Sequence, residues 1–227
     1  MDFELGEVLL VNKPLRWTSF DVVNKLRYAL KKRVGGKIKV GHAGTLDPLA
    51  TGLLIICTGK MTKKIDEYTG MDKEYTGSFF IGGTTATYDS ELAMNATFPT
   101  DHITEKLLLQ IAATFVGDIE QMPPIYSAIK IDGQAAYVAA RNGDEVTMKM
   151  RNVTIKEFEL TKIDMPLVYF RVVCSKGTYI RSLAYDFGRA LNSGAYLASL
   201  CRTKIGNFNV KDAKEVDEWV KEIQTPA

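Results

Sequence analysis

Residues 40–54 read "VGHAGTLDPLATGLL", a stretch of glycines and other small residues around one aspartate, Asp47. Asp47 stands directly before Pro48, and Asp followed by Pro often begins a turn. A lone carboxylate can also act as a covalent nucleophile, and the neighbouring Gly44 and Gly52 would leave it open to approach. The local sequence therefore leaves two interpretations of Asp47, a turn-forming residue and a catalytic residue.

The segments around this stretch predict a mixed α/β (α+β) fold with a central, largely antiparallel sheet flanked by helices. Strands and helices are interspersed without the strict alternation of a parallel sheet, and no linker of Pro or Ser divides the chain, so we expect a single domain over residues 1–227. The predicted elements are buried strands at 7–11 and 53–58, extended segments at 73–83 and 88–98, and helices at 18–33, 103–117, 177–194 and 212–223, the last capped by Asp212.

Composition predicts a cytoplasmic protein that crosses no membrane. No apolar run reaches the roughly 18 residues of a membrane span, and the first residues carry acids where a signal peptide needs bases. The three cysteines, Cys57, Cys174 and Cys201, are odd in number and far apart, which is typical of a reduced setting.

Charge is unevenly distributed although the formal net charge is only +2. Seven basic residues and no acid lie between Lys25 and Lys39. Such a cluster suits a polyanion such as RNA, although a solvated helix end gives the same pattern.

Several classes of chemistry lack their motifs. The segment "TGLLIICTGKMT" lacks the glycine and the Ser or Thr of a phosphate-binding loop. There are two histidines, His42 and His102, and no Cys-x-x-Cys, so a catalytic zinc site is not expected. The patterns of a serine nucleophile and of a dinucleotide-binding turn are also missing. We therefore expect chemistry without metal or cofactor, performed by carboxylate, Tyr, Lys, Arg or His side chains.

Five further blocks accompany "GHAGTLDPLATGLLIICTGKMTK", and together they resemble the TruB family of tRNA pseudouridine synthases. In chain order these blocks are "LLVNKPLRWTSFDVVNKLR", "KEYTGSFFIGGTTATYD", "QMPPIYSAIKIDGQAAYVAAR", "CSKGTYIRSLAYDFG" and "YLASLCRTKIGNF". They run from about residue 8 to 208. The resemblance implies the pseudouridine synthase core and isomerisation of uridine to pseudouridine in the T-arm loop of tRNA, conventionally at position 55.

The resemblance also implies roles for individual residues. Asp47 matches the nucleophile, Tyr75 the tyrosine that stacks on the target base, and Arg181 the arginine that pairs with the nucleophile. Leu200 matches a leucine of the base pocket, and His42 a residue that holds the tRNA loop. On the residues alone, Tyr75 could be a strand-core tyrosine, Arg181 a solvated helix arginine and His42 a turn residue.

The RNA contacts away from the reacting base are predicted more broadly. We expect Tyr179, Lys63, Lys64 and Lys130 to bind the substrate, with lysines touching phosphates. Residues 209–227 read as one short helix, so we expect the family's C-terminal PUA domain to be absent, and the protein to be a monomer. Two alternatives remain: a tRNA-folding factor that uses the same pocket without turnover, and an enzyme of the same fold with another RNA target.

Overall fold

The computed structural model describes residues 1–127, 129–131, 134–142 and 147–225. The chain divides into two compact units, one joining Met1–Thr76 to the residues from Leu200 onward, the other comprising Gly77–Ser199. Both units combine helices with largely antiparallel strands, so the predicted mixed α+β class is confirmed. A single catalytic domain over residues 1–227 stays a prediction.

In the first unit, the strand that follows the Asp47 stretch lies between two neighbours. Strand β3 pairs antiparallel with β1 and parallel with β12, where Leu200 lies opposite Ala50. Gly52 permits the second pairing, because its φ is +105° and a Cβ there would lie 2.4 Å from the carbonyl oxygen of Arg202. The elements are β1 (Val8–Lys13), α1 (Ser19–Val34), β2 (Val40–Ala43), β3 (Ala50–Thr58), a 3-10 helix (Gly59–Lys64), α2 (Ile65–Gly70), β4 (Lys73–Ile81), β12 (Ala195–Ile205), β13 (Phe208–Asn209), a 3-10 helix (Val210–Asp212), β14 (Lys214–Glu215) and α6 (Val216–Gln224), of which β4 ends and β12 begins in the second unit.

Helix α1 confirms the prediction made for residues 18–33. Thr18 caps it, accepting a hydrogen bond from the N–H of Asp21 while the Asp21 carboxylate accepts one from the N–H of Thr18. Gly35 ends it in the left-handed conformation. Its apolar side packs with β1, β3 and α6 in one core whose members include Val22, Val23, Leu26, Leu30, Leu9, Ile56 and Trp219.

The C-terminal helix begins later than predicted. Glu215, not Asp212, caps it, and Asp212 belongs to the preceding 3-10 helix. The reason is that Lys214 and Glu215 pair in parallel with β1, opposite Val11 and Asn12, so these residues are extended. The helix starts directly after this pairing.

In the second unit, β11 lies between β4 and β10, and β7 pairs with the outer side of β10. The predicted extended segment 88–98 is wrong over most of its length, because only Met94–Thr97 is a strand and Tyr88 has a φ of +62° in a turn. The elements are β5 (Gly83–Thr85), β6 (Met94–Thr97), α3 (Glu105–Thr114), β7 (Gly117–Gln121), β8 (Lys130–Ile131), β9 (Gln134–Ala135), α4 (Ala136–Asn142), β10 (Arg151–Asp164), β11 (Leu167–Cys174) and α5 (Ile180–Ala190).

Two kinds of feature are not found in the described ranges. None of the helices there combines the length and apolar character that a membrane span requires. No group of three or more His, Cys, Asp or Glu side chains in that part of the chain is placed to hold a metal ion.

Candidate active site

Asp47 opens a β-turn that leads into β3. The N–H of Ala50 donates to the carbonyl oxygen of Asp47 at 3.0 Å, and Pro48 occupies the second turn position, where proline is favoured. The carbonyl oxygen of Pro48 accepts a hydrogen bond from the N–H of Arg16 at 2.7 Å. The turn-forming interpretation of Asp47 is therefore right for the backbone, and it is compatible with a chemical role for the half-buried carboxylate.

Two buried side chains from distant parts of the sequence hold the loop that carries Asp47. The Ser19 hydroxyl donates to the carbonyl oxygen of Leu46 at 3.1 Å and accepts from its N–H at 2.8 Å. Arg202, only 1% exposed, donates to the carbonyl oxygens of Gly44 at 3.1 Å and Leu53 at 2.8 Å. The carboxylate is thus presented on a backbone fixed from both α1 and β12.

Lys13, at the end of β1, is a buried cation near this loop. Its Nζ donates to the carbonyl oxygens of Pro14 at 3.0 Å and Trp17 at 2.6 Å, and the residue is 0% exposed. The pKa of Lys13 is lowered to about 8, mainly by burial; the negative charge of Asp47 opposes this shift and the positive charge of Arg202 adds to it. The negative charge of Asp47 therefore interacts with the buried positive charge of Lys13.

The lowered pKa of Lys13 predicts that the protein becomes more stable as pH rises above about 8. The unfolded chain keeps the lysine proton up to its ordinary pKa, so between these values the unfolded state binds more protons and the free energy of unfolding rises with pH. Lys13→Met removes this titration. We expect the unfolding free energy of wild type minus that of Lys13→Met, measured with urea, to increase between about pH 7.5 and about pH 9.5.

The exposed Lys211 offers a matched control for this measurement. The difference between wild type and Lys211→Met should stay constant over the same pH interval. A Lys13→Met difference that is equally constant would contradict the lowered pKa.

Three predicted site residues lie in the same unit as Asp47. Leu200 stands opposite Ala50, the residue that closes the Asp47 turn, so the sheet register brings it to that end of β3. His42, in β2, is half-buried, and burial followed by the charge of Arg202 lowers its pKa, which favours a neutral ring. Tyr75, in β4, is 9% exposed, and the Glu74 carboxylate beside it accepts a hydrogen bond from the Thr203 hydroxyl at 2.8 Å.

Arg181 lies in the second unit, at the second position of α5, and its guanidinium is buried. Its Nε is 3.7 Å from Oδ2 of Asp89, with the two side chains 6% and 7% exposed. Nη1 donates to the carbonyl oxygens of Tyr126 at 3.0 Å and Thr87 at 3.3 Å. Arg181 is therefore not a solvated helix residue. Its predicted pairing with Asp47 stays a prediction.

The remaining predicted contacts have diverse surroundings. The backbone of Tyr179 exchanges two hydrogen bonds with the Gln121 side chain, at 2.8 and 3.1 Å, which fixes the start of α5. Lys63 and Lys64 are exposed in the 3-10 helix after β3. The side chain of Lys130 lies outside the described residues.

Comparison with known proteins decides the family. A profile described as TruB family pseudouridylate synthase, N-terminal domain, matches residues 31–180, well over half of the chain. The chain belongs to the TruB family. Among curated relatives, proteins named tRNA pseudouridine synthase B from Flavobacterium johnsoniae and Parabacteroides distasonis are 57% and 51% identical to it. These alignments cover 96% and 98% of this chain and 96% of each relative.

Solved structures support the expected fold. A chain of the Cbf5-Nop10-Gar1 complex superposes with a TM-score of 0.72 at 28% identity, over 96% of this chain and 54% of that one. A chain of an H/ACA RNP bound to a substrate RNA containing 2'-deoxyuridine superposes with a TM-score of 0.69 at 26% identity, over 96% of this chain and 53% of that one. This chain therefore spans about half the length of these two neighbours, and the expected core fold is confirmed.

Sequence reasoning missed four residues that hold predicted site residues in place, three around Asp47 in the first unit and one beside Arg181 in the second. All four lie inside the blocks that resemble the family: Lys13, Ser19, Asp89 and Arg202. The resemblance therefore indicated the segments that matter but not these individual residues. Nothing in the order of the letters showed that Arg202 bonds to Gly44, 158 positions away. Only the parallel pairing of β12 with β3 brings the two together.

Proposed function

We propose that this protein is a tRNA pseudouridine synthase that converts uridine 55 in the T-arm loop to pseudouridine, with Asp47 as the catalytic carboxylate. The observation that carries the proposal is the presentation of Asp47, half-buried at the head of a turn whose backbone Ser19 and Arg202 fix. The relatives named tRNA pseudouridine synthase B match almost the whole chain and support tRNA as the substrate.

The reaction breaks the N1–C1′ glycosidic bond, rotates the uracil and joins C5 to C1′. A proton leaves C5 and one is gained at N1, so atoms balance and nothing is oxidised or transferred to another molecule. An isomerisation of this kind needs no cofactor. Asp47 can attack the sugar, attack the ring or remove a sugar proton, and all three routes need an ionised carboxylate.

The uridine must leave its stack before Asp47 can reach it, which costs a few kcal/mol. We propose that Tyr75 offsets part of this cost by stacking on the extruded base, and that Leu200 forms an apolar wall beside it. His42, neutral through its lowered pKa, can stack on or hydrogen-bond the displaced loop without adding charge. Arg181 is proposed to pair with Asp47, and Tyr179, Lys63, Lys64 and Lys130 to contact the RNA.

Tyr75 variants test the stacking proposal. Tyr75→Phe keeps the aromatic face, whereas Tyr75→Leu keeps apolar bulk without it. We expect Tyr75→Leu to weaken binding of the T-arm RNA by about 1–3 kcal/mol and Tyr75→Phe to bind within about twofold of wild type, both measured by fluorescence anisotropy. Equal binding by the two variants would contradict stacking by Tyr75.

Release of tritium from C5-labelled uridine tests the function. A T-arm stem-loop labelled at the target uridine should lose its tritium to water, because C5 exchanges hydrogen for carbon in the product. Metal and cofactor are left out, and an RNA with the label at a stem uridine is the control. Binding without release, together with faster refolding of whole tRNA, would instead favour the tRNA-folding factor. We further propose that the protein works as a monomer in the cytoplasm.

A further inference from the structure

A cavity lined by lysines lies in the first unit, outside the site that holds Asp47. Its volume is about 270 Å³. Lys37 and Lys39, from the link between α1 and β2, line it together with Lys60 and Lys63 of the 3-10 helix after β3. One acid, Glu4, also lines it. Positive charge therefore exceeds negative charge in this cavity, as an anionic ligand requires.

The cavity lies far from Asp47, and the lengths of two elements that connect them give the distance. Helix α1 starts beside the Asp47 loop, through the Ser19–Leu46 hydrogen bonds, and its sixteen residues span about 23 Å before the link that contributes Lys37. Strand β3 starts at the Asp47 turn and runs for about 26 Å to the end that contributes Lys60. The cavity therefore lies roughly 25 Å from the catalytic loop.

The exposed side of α1 runs from the Asp47 loop towards the cavity, and it carries aromatic and basic groups. Tyr28 is 62% exposed, and the Lys32 ammonium lies 4.6 Å from the centre of its ring. Lys31 and Arg33 are exposed on the same last turns. A negatively charged chain that leaves the Asp47 loop along α1 meets these cations before it reaches the cavity.

We propose that this cavity, the lysine cavity, binds a backbone phosphate of the substrate RNA in the stem, about 25 Å from the modified loop. The inference rests on the proposed function for the identity of the RNA. The volume is below the roughly 300–1,000 Å³ of sites that enclose small molecules, and it suits one phosphate group of a longer chain. Lysine ammonium groups bind phosphate as point charges without reading sequence, so the lysine cavity positions the stem.

The double variant Lys37→Gln, Lys60→Gln tests whether the lysine cavity binds RNA. The control is the double variant Lys106→Gln, Lys221→Gln, which removes the same charge from two exposed lysines elsewhere. Binding is measured to a hairpin with a stem of about twelve base pairs, which exceeds 25 Å, and to one of about three base pairs. For the long stem we expect the first variant to bind about tenfold more weakly and to lose about one unit of the slope of log K against log salt, the value for one lost phosphate contact. Its affinity for the short hairpin should equal that of wild type.

Equal losses for both hairpins, or a variant that binds the long stem like the control, would overturn the proposal. Thermal unfolding in the presence of inorganic phosphate shows whether the cavity is a site for a free anion and not for the RNA backbone. Stabilisation by phosphate that depends on Lys37 and Lys60, without any effect on RNA binding, would assign the cavity to a small anion and also overturn the proposal. The binding assay does not depend on turnover, so failure of tritium release by wild type would reject the proposed function and leave this result intact.

Discussion

Asp47→Asn is expected to lower the rate of pseudouridine formation by at least about 10⁴-fold, a loss of the size seen when a catalytic nucleophile is removed from other enzymes. An amide cannot supply the negative charge that all three routes need. The fold should tolerate the change, because asparagine has the same shape and is also favoured at the first position of a turn. Single-turnover tritium release measures the rate, and urea denaturation should show a folded variant whose unfolding free energy falls by less than about 3 kcal/mol, since Lys13 loses the favourable charge of Asp47.

Asp66→Asn is the matched control for this experiment. Asp66 is an exposed carboxylate in α2 of the same unit, and its loss should leave the rate unchanged. If Asp47→Asn turned over within about tenfold of wild type, Asp47 would be a turn residue only. Binding of the T-arm RNA by Asp47→Asn should be kept, because the variant removes a negative charge that faces a polyanion.

Arg181→Met has the second large expected effect, this time on stability as well as rate. Asp89 is 5% exposed, and removing the guanidinium leaves its charge buried without that partner, which costs about 3–5 kcal/mol of unfolding free energy. The carbonyl oxygens of Tyr126 and Thr87 also lose a donor. We expect single-turnover rates to fall by at least about 10²-fold, the usual loss when a buried donor that stabilises charge is removed.

The double variant Arg181→Met, Asp89→Asn separates structural from catalytic effects. Asparagine removes the stranded charge, and its amide oxygen can still accept hydrogen bonds from the Thr87 hydroxyl and the N–H of Glu91, which Oδ1 of Asp89 now accepts at 2.6 and 2.9 Å. Stability measured with urea should therefore recover by more than half of the loss. The rate should not recover. Recovery of both would mean that Arg181 serves only to hold the fold together.

Local patterns predicted the elements whose signals are contained in a few consecutive residues. The cap and apolar spacing of α1 gave a helix over 18–33 where Ser19–Val34 is observed, because the capping box and the buried face are local properties. The start of the C-terminal helix could not be predicted from local patterns. Asp212 looks like a cap in the sequence, but pairing of Lys214 with Val11 keeps the chain extended until Glu215.

The candidate site was predictable only in part, for the same reason. Asp47 stands out locally through its small neighbours, and the family blocks pointed to Tyr75 and Arg181. The groups that fix the Asp47 loop come from elsewhere: Arg202 reaches it through strand pairing, and Ser19 through the packing of a helix end. A buried arginine that bonds to carbonyl oxygens has no signature in the sequence, since its letters are those of an ordinary surface residue.

The first unit is assembled from two segments that the whole second unit separates in the sequence, and this has a consequence for synthesis on the ribosome. Residues 1–76 leave the ribosome before the second unit, but Arg202 and the α6 residue Trp219, which donates to the carbonyl oxygen of Leu10 at 2.8 Å, emerge only after it. A nascent chain arrested before Arg202 lacks the donor that clamps Gly44. The enzyme therefore becomes competent only after Arg202 has emerged, and nascent chains arrested before it should be catalytically silent.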